Sequence, residues 1–252
     1  MKMRVTTSLG EHDESVREAR RVADDLGLAY VRRQKRSVRE LLADVDGLFV
    51  VYRDRLVLER KGVQPLFFHP DTASLRLKAK RDPLLDLLGP SSKRVLDATL
   101  GLGSDSLLFA AAGHQVTGLE CSPYLHYLVA RGFQTYQTGQ PQLDQAMRTI
   151  ETVCTDSLTY LSRQPDKSYD IVYFDPMFPE KITESHNLDG LHGLANPAGL
   201  TPALLKEAKR VARHKILLKT HFRDPIMEEL GFERLVRPNQ KIHYGQILLA
   251  DS

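Results

Sequence analysis

Arg94-Val95-Leu96-Asp97-Ala98-Thr99-Leu100-Gly101-Leu102-Gly103-Ser104-Asp105 is the stretch that decides the fold. It opens as a short apolar strand, ends that strand in an acid, and turns on two glycines. Residues 104–112 follow with the pattern of a helix, closed by Gly113. A strand, a glycine turn and a helix in that order start a nucleotide-type α/β unit. Glycines without Cβ atoms let a ligand lie against backbone where the strand passes into the helix. The full Gly-x-Gly-x-x-Gly is not present, because position 106 is Ser. Taken alone, two such glycines can also mean a tight bend and nothing more.

The alternation continues downstream. Residues 115–119 form a second predicted strand ending at Glu120, and residues 123–135 a helix with Ser122 as N-cap and Pro123 at its first position. A helix is expected over 142–150, a short strand at 152–154, and a helix capped by Asp156 that runs through residue 163. Residues 170–174 are an apolar strand leading into Asp175-Pro176-Met177-Phe178-Pro179, and residues 180–200, rich in Gly, His and Asn, read as a loop. Thr201-Pro202 opens a helix to about residue 212, 215–219 is a strand, and Asp224-Pro225 opens a short helix stopped by Gly231. Residues 232–236 and 244–250 close the chain as two strands. Strands alternating with helices predict a mainly parallel sheet covered on both faces. The short loop between the last two strands predicts an antiparallel hairpin at its end.

Upstream of residue 90 the pattern changes. Val5 lies in a predicted strand, and residues 13–26 are helical by period. Ser37-Val38-Arg39-Glu40 is a capping box, and residues 47–52 and 55–59 flank Arg53-Asp54 as a hairpin. The expected organisation is therefore a small α+β unit over residues 1–89, a candidate for substrate recognition, followed by an α/β domain over 90–252. Of the 252 residues 42% are hydrophobic, enough for a sizeable core, and the formal charge of +3 permits a nucleic-acid partner without demanding one. Cys121 and Cys154, far apart, suggest neither a disulfide framework nor a zinc site, which fits a reducing compartment. No apolar run approaches the ~18 residues that span a bilayer, and the first ten residues lack a signal-peptide core. A cytoplasmic location is expected.

Acids at strand ends sharpen the functional reading. Glu120 ends the second strand about 20 residues beyond the glycine turn, where a carboxylate can accept both hydroxyls of a ribose. Asp156-Ser157 follows the third strand, placed either to meet an adenine amine or simply to cap the next helix. Three polar groups at consecutive strand ends converge on the carboxyl edge of the sheet, where open α/β folds bind ligands. Asp97 selects among cofactors. An acid before the glycines repels the pyrophosphate of a dinucleotide but suits a ligand carrying an amino group and a sulfonium. S-adenosylmethionine fits that requirement and NAD does not.

Asp175-Pro176-Met177-Phe178 resembles the Asp/Asn-Pro-Pro-Tyr/Phe motif of methyltransferases that modify exocyclic amines of nucleobases, with Met177 in place of the second proline. The Asp, or a backbone carbonyl near it, accepts hydrogen bonds from the target amine and turns its lone pair toward the methyl group. Phe178 would stack on a base taken out of its helix. Combined with Asp97-Ala98-Thr99-x-Gly101-Leu102-Gly103-x-Asp105, this motif resembles the bacterial RsmJ family over roughly residues 90–220. Members of that family methylate the N2 amine of a guanosine in small-subunit ribosomal RNA. The resemblance implies a class I methyltransferase fold with a seven-stranded sheet and a C-terminal antiparallel hairpin. It also implies cofactor contacts from Ser104, Asp105, Glu120, Cys121, Asp156, Ser157 and Asp175, alongside those expected of Asp97, Thr99, Gly101 and Gly103. Ser104 stands where the family's better-known branch has Arg, and the N-terminal unit differs too, so a divergent, Gram-positive branch is expected. The expected partner is RNA, ribosomal or within the small subunit.

Other features carry less. Arg32-Arg33-Gln34-Lys35-Arg36, and Arg76, Lys78, Lys80 and Arg81, are basic runs able to meet RNA phosphates or to form a solvated face. Phe67-Phe68-His69-Pro70 reads as core at a domain junction or as an aromatic surface for a base. Lys219 and His221 end the fifth strand near the same sheet edge and are placed to touch substrate phosphate. Cys121 is expected as a near-cofactor or buried thiol, with no base beside it to make a nucleophile. His186 and His192 lie in the long loop, and no ligand cluster points to a metal. Two alternatives stay open: a methyltransferase for a small-molecule or protein amine, and a catalytically silent cofactor-binding protein that docks to RNA or ribosomes.

Overall fold

The alternation read from residue 94 onward builds one large sheet, and the first 67 residues build a smaller one. The computed structural model describes residues 1–176 and 199–250; Met177, Phe178, Pro179 and the loop histidines lie outside the described residues.

The smaller sheet is made of β1 (Met3–Thr7), β2 (Ala29–Tyr30), β3 (Gly47–Val51), β4 (Leu56–Arg60) and β5 (Leu66–Phe67), ordered β2-β1-β3-β4-β5. Helix α1 (Asp13–Leu26) joins β1 to β2 and α2 (Val38–Leu41) leads to β3. The Ser37 capping box closes as expected, with Glu40 N–H donating to Ser37 Oγ at 3.2 Å and Ser37 N–H to Glu40 Oε2 at 2.6 Å. The β3–β4 pair is the expected hairpin. Two-residue strands such as β2 and β5 carry no alternation and left no trace in the pattern. Helices α3 (Asp71–Leu77) and α4 (Pro83–Leu88) then cross to the larger sheet. Asp82 caps α4, with Pro83 at its first position.

The larger sheet takes β6 (Arg94–Asp97), β7 (Gln115–Glu120), β8 (Glu151–Cys154), β9 (Tyr169–Phe174), β10 (Ala212–His221), β11 (Glu233–Leu235) and β12 (Ile242–Leu248). Its order among the described residues is β11-β12-β10-β9-β6-β7-β8. Strands β8, β7, β6, β9 and β10 run parallel, and β12 is antiparallel to both β10 and β11. The expected seven-stranded sheet with its closing hairpin is therefore present. Helices α5 (Ser104–Ala111), α6 (Pro123–Thr135), α7 (Pro141–Thr149), α8 (Ser157–Leu161), α9 (Pro202–Val211) and α10 (Ile226–Glu229) connect these strands. From β6 the chain winds outward to β8 and returns to β9 on β6's other side. That reversal opens a crevice at the carboxyl ends of β6 and β9.

Strand β10 begins three residues earlier than its apolar run suggested, because Arg213 and His214 are carried into it with Asp170 of β9 opposite them. Period two sorts the central strands between two cores. Ile171 and Tyr173 face one side with Val95 and Leu217, while Val172 and Phe174 face the other with Leu96, Ile216 and Leu218. The first core runs without interruption into the small sheet through Val5, Phe49 and Phe68. Phe68 is the junction. Its ring meets Phe133 edge-on at 5.2 Å and Tyr136 at 5.8 Å, and it presses on the bare Cα of Gly132, where a Cβ would enter the ring. Burying such a ring is worth ~1.5–3 kcal/mol. Of the two readings of Phe67-Phe68, Phe68 takes the core one. No helix among the described residues is long and apolar enough to cross a membrane.

Candidate active site

Asp97 ends β6 and its side chain turns inward. Oδ2 accepts the Ser106 hydroxyl at 2.6 Å and Oδ1 accepts the Thr99 N–H at 3.0 Å. With 1% of its surface exposed, Asp97 lies beneath the glycine turn as its anchor. Burial pushes its carboxyl up to about 7, against the pull of Ser106 and Thr99, with Asp105 and Asp175 adding to the rise. Above it, Gly101 has φ +52°, and a Cβ there would find only the Thr99 carbonyl oxygen within 4 Å, at 3.8 Å. Open ground thus lies over Gly101. Gly103, at φ +75°, is bare for a different reason: a Cβ would strike the Phe133 ring. Ser104, half-buried, begins α5 at this turn.

Glu120 closes the neighbouring strand. It is 7% exposed and accepts the Ser122 N–H at 2.8 Å, with the Cys121 thiol 3.7 Å from the same oxygen. Burial raises its pKa, and the donors around it oppose the rise. Cys121 is exposed, and its thiol is pushed up by burial and by the Glu120 carboxylate, which makes it a poor nucleophile. Asp156 accepts the Thr159 N–H at 2.9 Å and so caps α8, while the Ser157 hydroxyl donates to the Ala98 carbonyl at 2.6 Å. Ser157 ties the end of the third parallel strand to the turn after the first.

Asp175 ends β9 beside the glycine turn. Its N–H donates to Thr99 Oγ1 at 2.6 Å, and Ala98 N–H donates to the Tyr173 carbonyl at 2.9 Å. The two candidate motifs, 76 residues apart, are thereby bonded to each other. Lys219, from β10, donates to Asp175 Oδ2 at 2.6 Å and to Asp105 Oδ2 at 2.8 Å. Asp105 also accepts the Tyr173 hydroxyl at 2.7 Å and pairs with Arg76, which in turn holds Asp82 at 2.8 and 3.0 Å.

A charge chain results, Asp82–Arg76–Asp105–Lys219–Asp175, reaching from the N-cap of α4 to the end of β9. Burial alone would protonate Asp105, but Lys219 and Arg76 outweigh it and hold the carboxyl well below the usual range. Burial alone would discharge Lys219, but Asp105 and Asp175 hold its pKa above lysine's ordinary value. Asp175 has a single direct cation, and there burial prevails and its pKa rises.

These placements revise several expectations. Lys219 does not reach for phosphate; it is spent between two carboxylates. Arg76 leaves the basic run of residues 76–81 and turns inward to Asp82 and Asp105. Arg33 is 5% exposed, with its guanidinium donating to the carbonyls of Arg36 and Thr7. Tyr173, Ser106 and Arg76 are site members that strand-end reasoning missed. Ser106 sat in the glycine motif, where its hydroxyl was read only as the absence of a third glycine.

The comparisons with known proteins bear on this arrangement of glycine turn, strand-end acids and Asp-Pro. Residues 73–236 match a family model described as "putative SAM-dependent methyltransferase". The chain belongs to this family. The enzyme uses S-adenosylmethionine, and its residues suit that group: open backbone lies at Gly101 and a buried carboxyl at Glu120, whereas Asp97, expected to meet the cofactor's cationic groups, instead binds Ser106 and Thr99 beneath the turn.

A Bacillus subtilis relative, the uncharacterized protein YpiP, is 35% identical and covers 96% of this chain and 98% of its own. The Ribosomal RNA small subunit methyltransferase J of Alkalilimnicola ehrlichii is 33% identical over 53% of this chain, and that of Acinetobacter baumannii strain ATCC 17978 is 42% identical over 49%. The methyltransferase spans about half the length of these two relatives, 52% and 49%. A solved structure, the SAM-dependent methyltransferase NGO1261 from Neisseria gonorrhoeae, superposes with TM-score 0.63 at 19% identity, covering 97% of this chain and 95% of that one. That likeness shows the shared fold. The expected resemblance to the RsmJ family is met, and the match to the Bacillus subtilis protein fits a divergent, Gram-positive branch.

Proposed function

We propose that this methyltransferase acts on an exocyclic amine of a nucleic-acid base, with guanosine N2 of small-subunit ribosomal RNA as the target. The observation that carries the reading is the bond between Asp175 N–H and Thr99 Oγ1. It sets an Asp-Pro strand end directly beside the cofactor turn. The ribosomal RNA methyltransferases that match half of the chain support the substrate class.

Bound S-adenosylmethionine supplies a methyl group on a sulfonium that becomes a neutral thioether when the methyl leaves. Glu120 would accept the ribose hydroxyls, Gly101 would keep a side chain out of the cofactor's path, Gly103 would let the turn pack on Phe133, and Ser104, Asp156 and Ser157 would frame the cofactor's ends. Asp97 would hold the turn from below. The amine of a purine is a weak nucleophile, because its lone pair is delocalised into the ring. Lys219 fixes Asp175 through Oδ2. Oδ1 is the oxygen we assign to accept the substrate N–H, turning the nitrogen lone pair along the line of transfer. Orientation of this kind accounts for most of the acceleration. The proton lost by the methylated nitrogen passes to the Asp175 carboxylate, whose raised pKa suits it to take one.

Deletion of the gene followed by mass mapping of ribosomal RNA tests the reading. One methyl mark is expected to vanish, to return with the wild-type gene, and to stay absent with Asp175→Ala, which should cost about a hundred-fold or more in rate. An unchanged methylation map overturns the RNA assignment.

A further inference from the structure

Beyond Lys219 the β10 strand runs on to His221 and bends, and Phe222 stands at the bend with 42% of its surface exposed. Phe222 is the one aromatic among the exposed large hydrophobics of the described residues. The His221 ring lies 4.7 Å away, the His243 ring 6.1 Å, and the Arg223 guanidinium 5.1 Å from the Phe222 ring centre. Two flat imidazole rings and a guanidinium thus lie beside it. Phe222 and Arg223 are exposed while the two imidazole rings are buried beside them, and an exposed ring paired with a guanidinium suits a nucleobase.

The corner is also held still. Phe222 N–H donates to the Lys241 carbonyl at 2.8 Å, and Arg234 donates to the carbonyls of Phe222 and Asp224 at 3.3 and 2.7 Å. Its acids are already engaged. Asp224 accepts Thr220 Oγ1 at 2.9 Å and the Ile226 N–H at 3.0 Å, and Glu228 is paired with Arg234 at 2.6 Å. Arg223 is exposed at the same bend and gives it a positive charge complementary to phosphate. Three residues of extended chain separate Phe222 from Lys219, roughly 10 Å at the strand rise. Lys219 touches Asp175. The corner therefore lies on the rim of the site, at the carboxyl edge of the sheet.

We propose that Phe222, with Arg223 and supported by the buried rings of His221 and His243, is a stacking platform for an unpaired base flanking the target nucleotide, and that Arg223 also meets the adjoining phosphate. The proposal deepens the RNA reading and rests on it for the identity of the strand. The test is fluorescence anisotropy of a fluorescein-labelled mixed-sequence single-stranded RNA, with the same sequence as a duplex for comparison. Phe222→Ala should weaken single-strand binding roughly five- to hundred-fold and leave duplex binding nearly unchanged, while Phe222→Trp should retain the affinity. Arg223→Ala should lower the salt dependence by about one counterion. Calorimetric binding of S-adenosylhomocysteine, unaltered in Phe222→Ala, shows that the fold is intact. Equal single-strand affinity of Phe222→Ala and wild type, or no single-strand binding by wild type, overturns the platform. Failure of the target assignment looks different: Phe222-dependent binding persists while the ribosomal RNA carries no mark from this enzyme.

Discussion

Replacing Lys219 by Met removes the cation between Asp105 and Asp175 while keeping most of the side-chain volume. Taking one partner from a buried ion pair costs about 3–5 kcal/mol, because the other is left as an uncompensated charge. Three features of this site reduce the figure. Lys219 and Asp175 keep 21% and 28% side-chain exposure, Asp105 retains Arg76, and Asp175 can take up a proton. The expected loss at pH 8 is about 2–3 kcal/mol. In urea unfolding this appears as a midpoint lowered by about 1 M with the slope unchanged. The pH dependence follows from the carboxyl left behind. Without Lys219 the folded-state pKa of Asp175, already raised by burial, rises further, so the unfolded chain releases its proton first as pH increases. Destabilisation of Lys219→Met should therefore shrink on moving from pH 8 toward pH 5.5. Methyl transfer should fall further than stability alone requires, because Asp175 is no longer fixed. Wild-type stability and turnover in Lys219→Met at pH 8 would refute the view that this lysine orders the site.

Three further outcomes are expected. Glu120→Ala should weaken S-adenosylhomocysteine by about 1–3 kcal/mol in calorimetry, through lost charge-assisted hydrogen bonds. Since burial raises the Glu120 pKa, wild-type affinity should also decline on acidification from pH 7 to 5, and a flat profile would count against a ribose-binding carboxylate. Asp97, raised to about 7 when folded, binds a proton that the unfolded chain has already lost, so its contribution to stability falls as pH rises through that value. Asp97→Asn keeps the acceptor for Thr99 and should gain stability relative to wild type between pH 5 and 8; a constant difference across that range would mean the carboxyl does not titrate there. Gly132→Ala pushes a methyl into the Phe68 ring and should cost about 1–3 kcal/mol by overpacking. Adding Phe68→Leu should recover part of that loss, and strict additivity of the two changes would show that the junction is packed otherwise.

Much of this molecule was legible along the chain because the signals were local. Period-two apolar runs, Ser122-Pro123 and Thr201-Pro202 at helix starts, and a closing strand pair are set by near neighbours; both helices began where expected, and the closing pair formed with its last strand two residues early. The convergence of Asp97, Glu120, Asp156 and Asp175 on one edge followed too, since parallel strands joined by helices must end on the same side. The roles of the charged groups did not follow. Arg76 and Asp105 are 29 residues apart, and Lys219 and Asp175 44 apart. No local rule distinguishes a lysine that meets phosphate from one that bridges two carboxylates. Docking of α3 against α5 took Arg76 out of an apparently solvated run, and the order β10-β9-β6 brought Lys219 over Asp105. Once water is excluded there, each charge must find its opposite, and that choice belongs to the packed chain.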